Sequence, residues 1–151
     1  MCELKGQITT KKIVEQIIDY NYVEVTKEDF RDLIDFFFLY HETPTKNYKD
    51  HIFNTYKVLD HVLKMIAGYD FEIKEKEELS YSPDEIVDYI ISNSNDIEFM
   101  RENLRDLIDN FFLNSEGHTK ESISTYHMTY KVLDDMLKDT KIIKKQRLIM
   151  A

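Results

Sequence analysis

Apolar residues in the first half of the chain fall on helical spacing in three successive stretches. Ile13, Ile17 and Ile18 form one stripe, Phe30, Leu33, Ile34, Phe37 and Phe38 a second, and Ile52, Tyr56, Leu59, Leu63 and Ile66 a third. Side chains three and four apart share one face of a helix, so each stretch predicts an amphipathic helix whose apolar face needs a neighbour. The residues between the stretches agree with this division. Thr26 with Asp29 three residues on predicts a capping box, and Ser82 before Pro83 predicts an N-cap followed by the first helical position. Gly68 predicts the end of the third helix, and Pro44 and Gly117 predict junctions between second and third helices.

The pattern then recurs. Residues 28–64 align with residues 102–138 at a constant offset of 74 without a gap, and 20 of those 37 pairs are identical. RDLIDFFFL at 31–39 returns as RDLIDNFFL at 105–113, and TYKVLD stands at 55–60 and again at 129–134. KKIVEQIIDY at 11–20 resembles DEIVDYIISN at 84–93 with an offset of 73. A period this long predicts a duplicated small domain rather than one turn of a solenoid. The expected fold is therefore all-α: a bundle of two tandem three-helix repeats, 1–68 and 82–151, joined by a charged link over 69–81. Each repeat alone buries little surface, so the two are expected to pack around a pseudo-twofold axis. Among the apolar positions identical in both, Leu33, Ile34, Phe37, Phe38, Val58, Leu59 and Leu63 with their counterparts in the second repeat predict the retained core.

Composition narrows the function classes. Only 3 Gly and 2 Pro in 151 residues disfavour turn-rich β folds and glycine-rich phosphate loops. The lone cysteine, Cys2, can close no internal disulfide. The opening residues Met-Cys-Glu-Leu-Lys-Gly lack the apolar run of a signal peptide, and no window approaches the length of a membrane span, so a soluble cytoplasmic protein is expected. The formal charge is −9, and it is uneven. Five cations against Asp139 give the segment 138–151 a net +4, which leaves −13 on the segment 1–137. An acidic body repels nucleic-acid phosphates and attracts basic partners, while the basic tail, KIIKKQRLIM, predicts an extension of the last helix with Ile142, Ile143, Leu148 and Ile149 packing down.

Candidate chemistry is sparse. Glu28, Asp32 and Asp35 follow helical spacing with Arg31 beside them and recur as Glu102, Asp106 and Asp109 with Arg105, a pattern that offers hard oxygen ligands to a divalent cation. The same residues also serve a helix dipole and ordinary i,i+4 pairs, so no metal or other cofactor is assigned. Glu85 and Asp88 share an ExxD spacing that is too common among 29 acids to identify a family. None of His41, His51, His61, His118 and His127 is matched by a histidine in the other repeat, which gives no support for a duplicated ligand site. No nucleophile elbow or Walker motif is present.

Differences between the repeats carry more. Phe36 stands where the second repeat has Asn110, and Tyr40 where it has Asn114. That contrast predicts two aromatics one turn apart that either face solvent, as the kind of anchor that protein interfaces use, or are buried against the first helix or the other repeat. The sequence thus predicts a non-enzymatic interaction protein, an adaptor, regulator or inhibitor of the kind a phage or mobile element would use. Phe36 and Tyr40 would anchor a partner, and Asp32, Asp35, Asp106 and Asp109 would steer a basic one, such as a nucleic-acid-binding protein. The alternative is a metal-dependent helical hydrolase or a binder of phosphorylated ligands using Glu28, Asp32 and Asp35. A third reading is a homo-oligomer formed through the aromatic patch.

Overall fold

The structure, a computed structural model, describes residues 8–40, 45–75, 81–94, 96–113 and 120–150. Six helices and no strands occur among them: α1 (Thr10–Tyr20), α2 (Val23–Tyr40), α3 (Lys46–Glu75), α4 (Pro83–Asn93), α5 (Ile97–Leu113) and α6 (Lys120–Met150). The expectations for Cys2, His41, Pro44, Gly117 and His118 lie outside the described residues, as does the side chain of Tyr40.

Side-chain oxygens supply the N-terminal caps, satisfying amides that have no partner inside the helix. The Thr9 hydroxyl accepts from the Lys12 amide at 3.1 Å, Thr45 from Tyr48 at 3.2 Å, and the Asp96 carboxylate from Glu98 at 3.0 Å. Ser82 and Glu85 exchange both bonds of a capping box with Pro83 at the first helical position, as the sequence predicts. Two other boundaries differ from expectation. Helix α2 starts at Val23, so Thr26 lies inside its first turn, where its buried hydroxyl donates to the Tyr22 carbonyl instead of capping.

Helix α3 runs through Gly68 to Glu75, taking the first part of the expected link with it. Packing keeps it helical past the glycine, since Met65 and Ile66 are buried one turn earlier and Tyr69 packs on the core one residue later. A methyl group at Gly68 would meet only the Tyr81 ring, at 3.9 Å. Gly68→Ala is therefore expected to stabilise the fold by about 0.5–1 kcal/mol, the cost of glycine in a helix interior, read as a raised midpoint in urea.

One apolar core draws on every helix. Ile13 and Ile17 of α1, Phe30 and Phe37 of α2, Leu59, Leu63 and Ile66 of α3, Ile86 and Ile90 of α4, Leu104 and Leu107 of α5, and Leu133 and Leu137 of α6 belong to one buried cluster. Each such side chain contributes roughly 1.5–3 kcal/mol relative to exposure. Helix α1 packs mainly on α4 and α6, from the other end of the chain, and α2 packs on α5 and α6 as well as on α3. The core is thus shared by the two sequence repeats. Of the apolar positions identical in both, Phe38 and Phe112 depart from expectation: they are 38% and 40% exposed because they face away from the core near the ends of α2 and α5.

The basic tail is helical to Met150, but only Ile143 packs. Ile142, Leu148 and Ile149 are exposed, although Arg147 between them pairs with Asp88 of α4. No helix among the described residues is long and apolar enough to cross a membrane.

Candidate functional site: matched aromatic ends of two helices

Helix α2 ends on Phe38 and Leu39 before Tyr40, and α5 ends on Phe112 and Leu113, the same pair at the repeat offset of 74. All four are exposed, the leucines at 73% and 84%. The phenylalanines continue into the following helix. Phe38 lies 6.3 Å from Phe53, which stacks on Tyr56 at 6.2 Å, with the Lys57 ammonium 5.7 Å from the Phe53 ring. Phe112 lies 5.7 Å from His127, which lies 6.2 Å from Tyr130. Positions 53 and 56 match 127 and 130 at the same offset, so the two clusters differ by a single ring, phenylalanine in one and histidine in the other. Asp35 and Asp109, both exposed, stand one turn before each apolar pair and edge it with negative charge.

The anchor expected from the sequence sits elsewhere. Phe36 is half-buried, its ring 5.0 Å from Phe111, and it closes a small cluster of Leu33, Ile108 and Phe111 with Ile123, Tyr126 and Tyr130. Its polar counterpart Asn110 is 6% exposed rather than solvent-facing. Phe36 lies in the junction of α2 with α5 and α6, and Asn110 is buried, which a replacement of phenylalanine by asparagine does not reveal.

The retained acids divide between two roles. Asp106 accepts the Tyr48 hydroxyl at 2.7 Å, and Asp32 accepts the Tyr126 hydroxyl at 3.0 Å, so each ties its helix to the third helix of the opposite repeat. Burial, followed by the bond to Asp106, raises the Tyr48 phenol pKa, and burial with the Asp32 bond raises that of Tyr126 to about 12. Glu28, Asp32 and Asp35 are exposed along α2, and among the described residues no three histidine, cysteine or acidic groups converge so as to hold a metal ion. Glu85 is committed to the cap of α4, and Asp88 pairs with Arg147. His51 and His61 lie against the rings of Phe99 and Tyr89, at 5.1 and 4.6 Å.

The sequence reading missed these aromatic ends because identity between the repeats at Phe38 and Phe112 reads as core. Leu39 and Leu113, one residue beyond the helical stripe on each side, were the available signal. Comparison with protein-family models, with curated proteins and with solved structures finds no match to the chain.

Proposed function

We propose that the chain is a non-enzymatic protein-binding module, an adaptor, regulator or inhibitor, that presents two aromatic, acid-edged helix ends to a basic partner. The observation that supports this reading is the identity of Phe38 with Phe112 at exposed positions, in repeats that differ at nearly half of their aligned residues. Burial accounts for the other identical phenylalanines, Phe37 and Phe111, but not for these two. Exposed aromatics are enriched at protein interfaces relative to the rest of the surface. The acids Asp35 and Asp109, on a body carrying −13 over the segment 1–137, favour a cationic partner by steering.

The test is Phe38→Asp combined with Phe112→Asp. Substitutions at exposed positions change stability by about 0.5 kcal/mol or less each, so the two together should lower the melting temperature by no more than about 2–4 °C. Affinity capture from lysate of the source organism, after nuclease treatment, should then lose a discrete protein that the wild-type chain retains. Identical retained species for both proteins would overturn the reading, and a large fall in melting temperature would place the two rings in the core.

A further inference from the structure

Helices α1 and α4 are matched in sequence at an offset of 73, with Tyr20 at the end of one and Asn93 at the end of the other. Around Tyr20 the chain builds a small polar nest. Its hydroxyl lies 3.4 Å from the Thr129 hydroxyl and donates to the Thr125 carbonyl at 3.4 Å, while Thr129 donates to Asp29 at 3.3 Å. The matching positions in the other repeats, for Thr129, Thr125 and Asp29 in turn, are Thr55, His51 and Asn103. They form a related nest in which the bond runs the other way: the Asn103 amide donates to the Thr55 hydroxyl at 2.9 Å and itself reaches the His51 carbonyl, the counterpart of the one Tyr20 bonds, at 3.4 Å. Thr55 and Asn103 are 4% and 3% exposed. What differs is the ring. Asn93 is too short to cover this nest, and a cavity of about 290 Å³ lies over it, walled by Val58, Phe99 and Met100.

We infer that this cavity, between α3, α4 and α5, binds a p-hydroxyphenyl group from outside the chain, placed as Tyr20 is placed over α6. The ring packs on Val58, Phe99 and Met100; the phenol donates to the His51 carbonyl and meets the Thr55 hydroxyl, as Tyr20 does with Thr125 and Thr129. The volume is at the small end of ligand pockets, which start near about 300 Å³, and suits one ring rather than a large cofactor. Both atoms already accept from the Asn103 amide, so the phenol adds one further bond there that a ring without the hydroxyl cannot make, and the site discriminates against such a ring by that bond. The phenol comes either from a tyrosine side chain of a protein partner or from a small free aromatic. Since His51, Thr55 and Val58 lie on the face of α3 opposite Phe53 and Tyr56, this site is separate from the aromatic helix ends and stands or falls independently of them.

The experiment titrates the full-length protein with p-cresol and with toluene, following the Met100 methyl and the Asn103 side-chain amide by NMR. Saturable shifts with p-cresol, and binding of toluene weaker by about tenfold or more, the value of one hydrogen bond, are expected. Asn93→Tyr, which supplies the missing ring from within, should abolish the p-cresol shifts. Thr55→Val keeps the shape of the cavity and should bring p-cresol and toluene close to equal affinity. N-acetyltyrosinamide that binds like p-cresol assigns the site to a partner's tyrosine; binding of p-cresol alone assigns it to a free phenol. Absence of saturable p-cresol shifts at these residues up to its solubility, or equal binding by the Asn93→Tyr protein, would overturn the inference.

Discussion

Phe111→Ala is expected to destabilise the protein by about 3–5 kcal/mol, the range for removing a buried aromatic ring, with unfolding still a single transition. The ring is 1% exposed and packs edge-on against Phe36 of α2 at 5.0 Å and Tyr126 of α6 at 4.8 Å. Its loss leaves a cavity at the place where α2, α5 and α6 meet, and none of these helices can close it without disturbing the shared core. A domain of this size has a total stability of about 5–15 kcal/mol, so the variant should sit near the limit of folding at physiological temperature. Urea denaturation followed by far-ultraviolet circular dichroism and by tyrosine fluorescence measures the effect. Coincident, strongly shifted transitions are the expected result. Two separated transitions would mean that the repeats unfold independently, contrary to one core built from all six helices. Phe112→Ala, one residue on and 40% exposed, is the internal control and should cost less than about 1 kcal/mol.

The contrast between those neighbours shows where sequence reading works and where it stops. Helical spacing finds Ile13, Ile17, Phe30, Leu59 and Leu63, because a helix buries the stripe it presents and each of these is fully buried. Pro83 and Ser82 mark a start correctly because their effect is local to the backbone. Gly68 does not mark a stop, since tertiary packing around Met65, Ile66 and Tyr69 outweighs the small helix penalty of one glycine. Identity between the repeats identifies constraint but not its cause, so Phe37 and Phe38 look alike in the sequence although one is buried and the other is exposed. The bonds from Tyr48 to Asp106 and from Tyr126 to Asp32 were not legible at all. Their tyrosines occupy positions matched to Ser122 and Ile52, so the alignment of the repeats conceals that both third helices reach across to the opposite repeat.

Arg101 differs from its sequence counterpart Lys27 in a way that carries the second large effect. Its guanidinium grips Asp134 of α6 through two bonds, at 2.8 and 3.1 Å, and reaches Glu98 at 2.6 Å, and Glu98 in turn pairs with Lys141 at 2.9 Å. The Arg101 and Asp134 side chains are only 20% and 14% exposed, so the pair is held partly out of water. Removing one partner from such a pair leaves a carboxylate with much of its hydration gone and no counter-charge. Arg101→Ala is therefore expected to cost about 2–3 kcal/mol, somewhat below the fully buried case. Arg101→Lys keeps the charge but loses the planar fork, and should cost about 1 kcal/mol. Combining Arg101→Met with Asp134→Leu should recover most of the stability lost by Arg101→Ala, because no unpaired charge remains. The outer pair responds to solution conditions. The bonds from Lys141 and Arg101 hold the Glu98 pKa below the usual carboxylate range. That contribution is present above the carboxylate's unfolded pKa and fades as pH falls through the lower folded one. Salt should weaken the exposed Glu98–Lys141 pair more than the Arg101–Asp134 pair, so the penalty of Arg101→Ala should persist at high ionic strength. Urea midpoints of the wild type and the three variants at low and high salt decide the matter, and a penalty that vanished in salt would make Arg101 a surface charge rather than a clasp between α5 and α6.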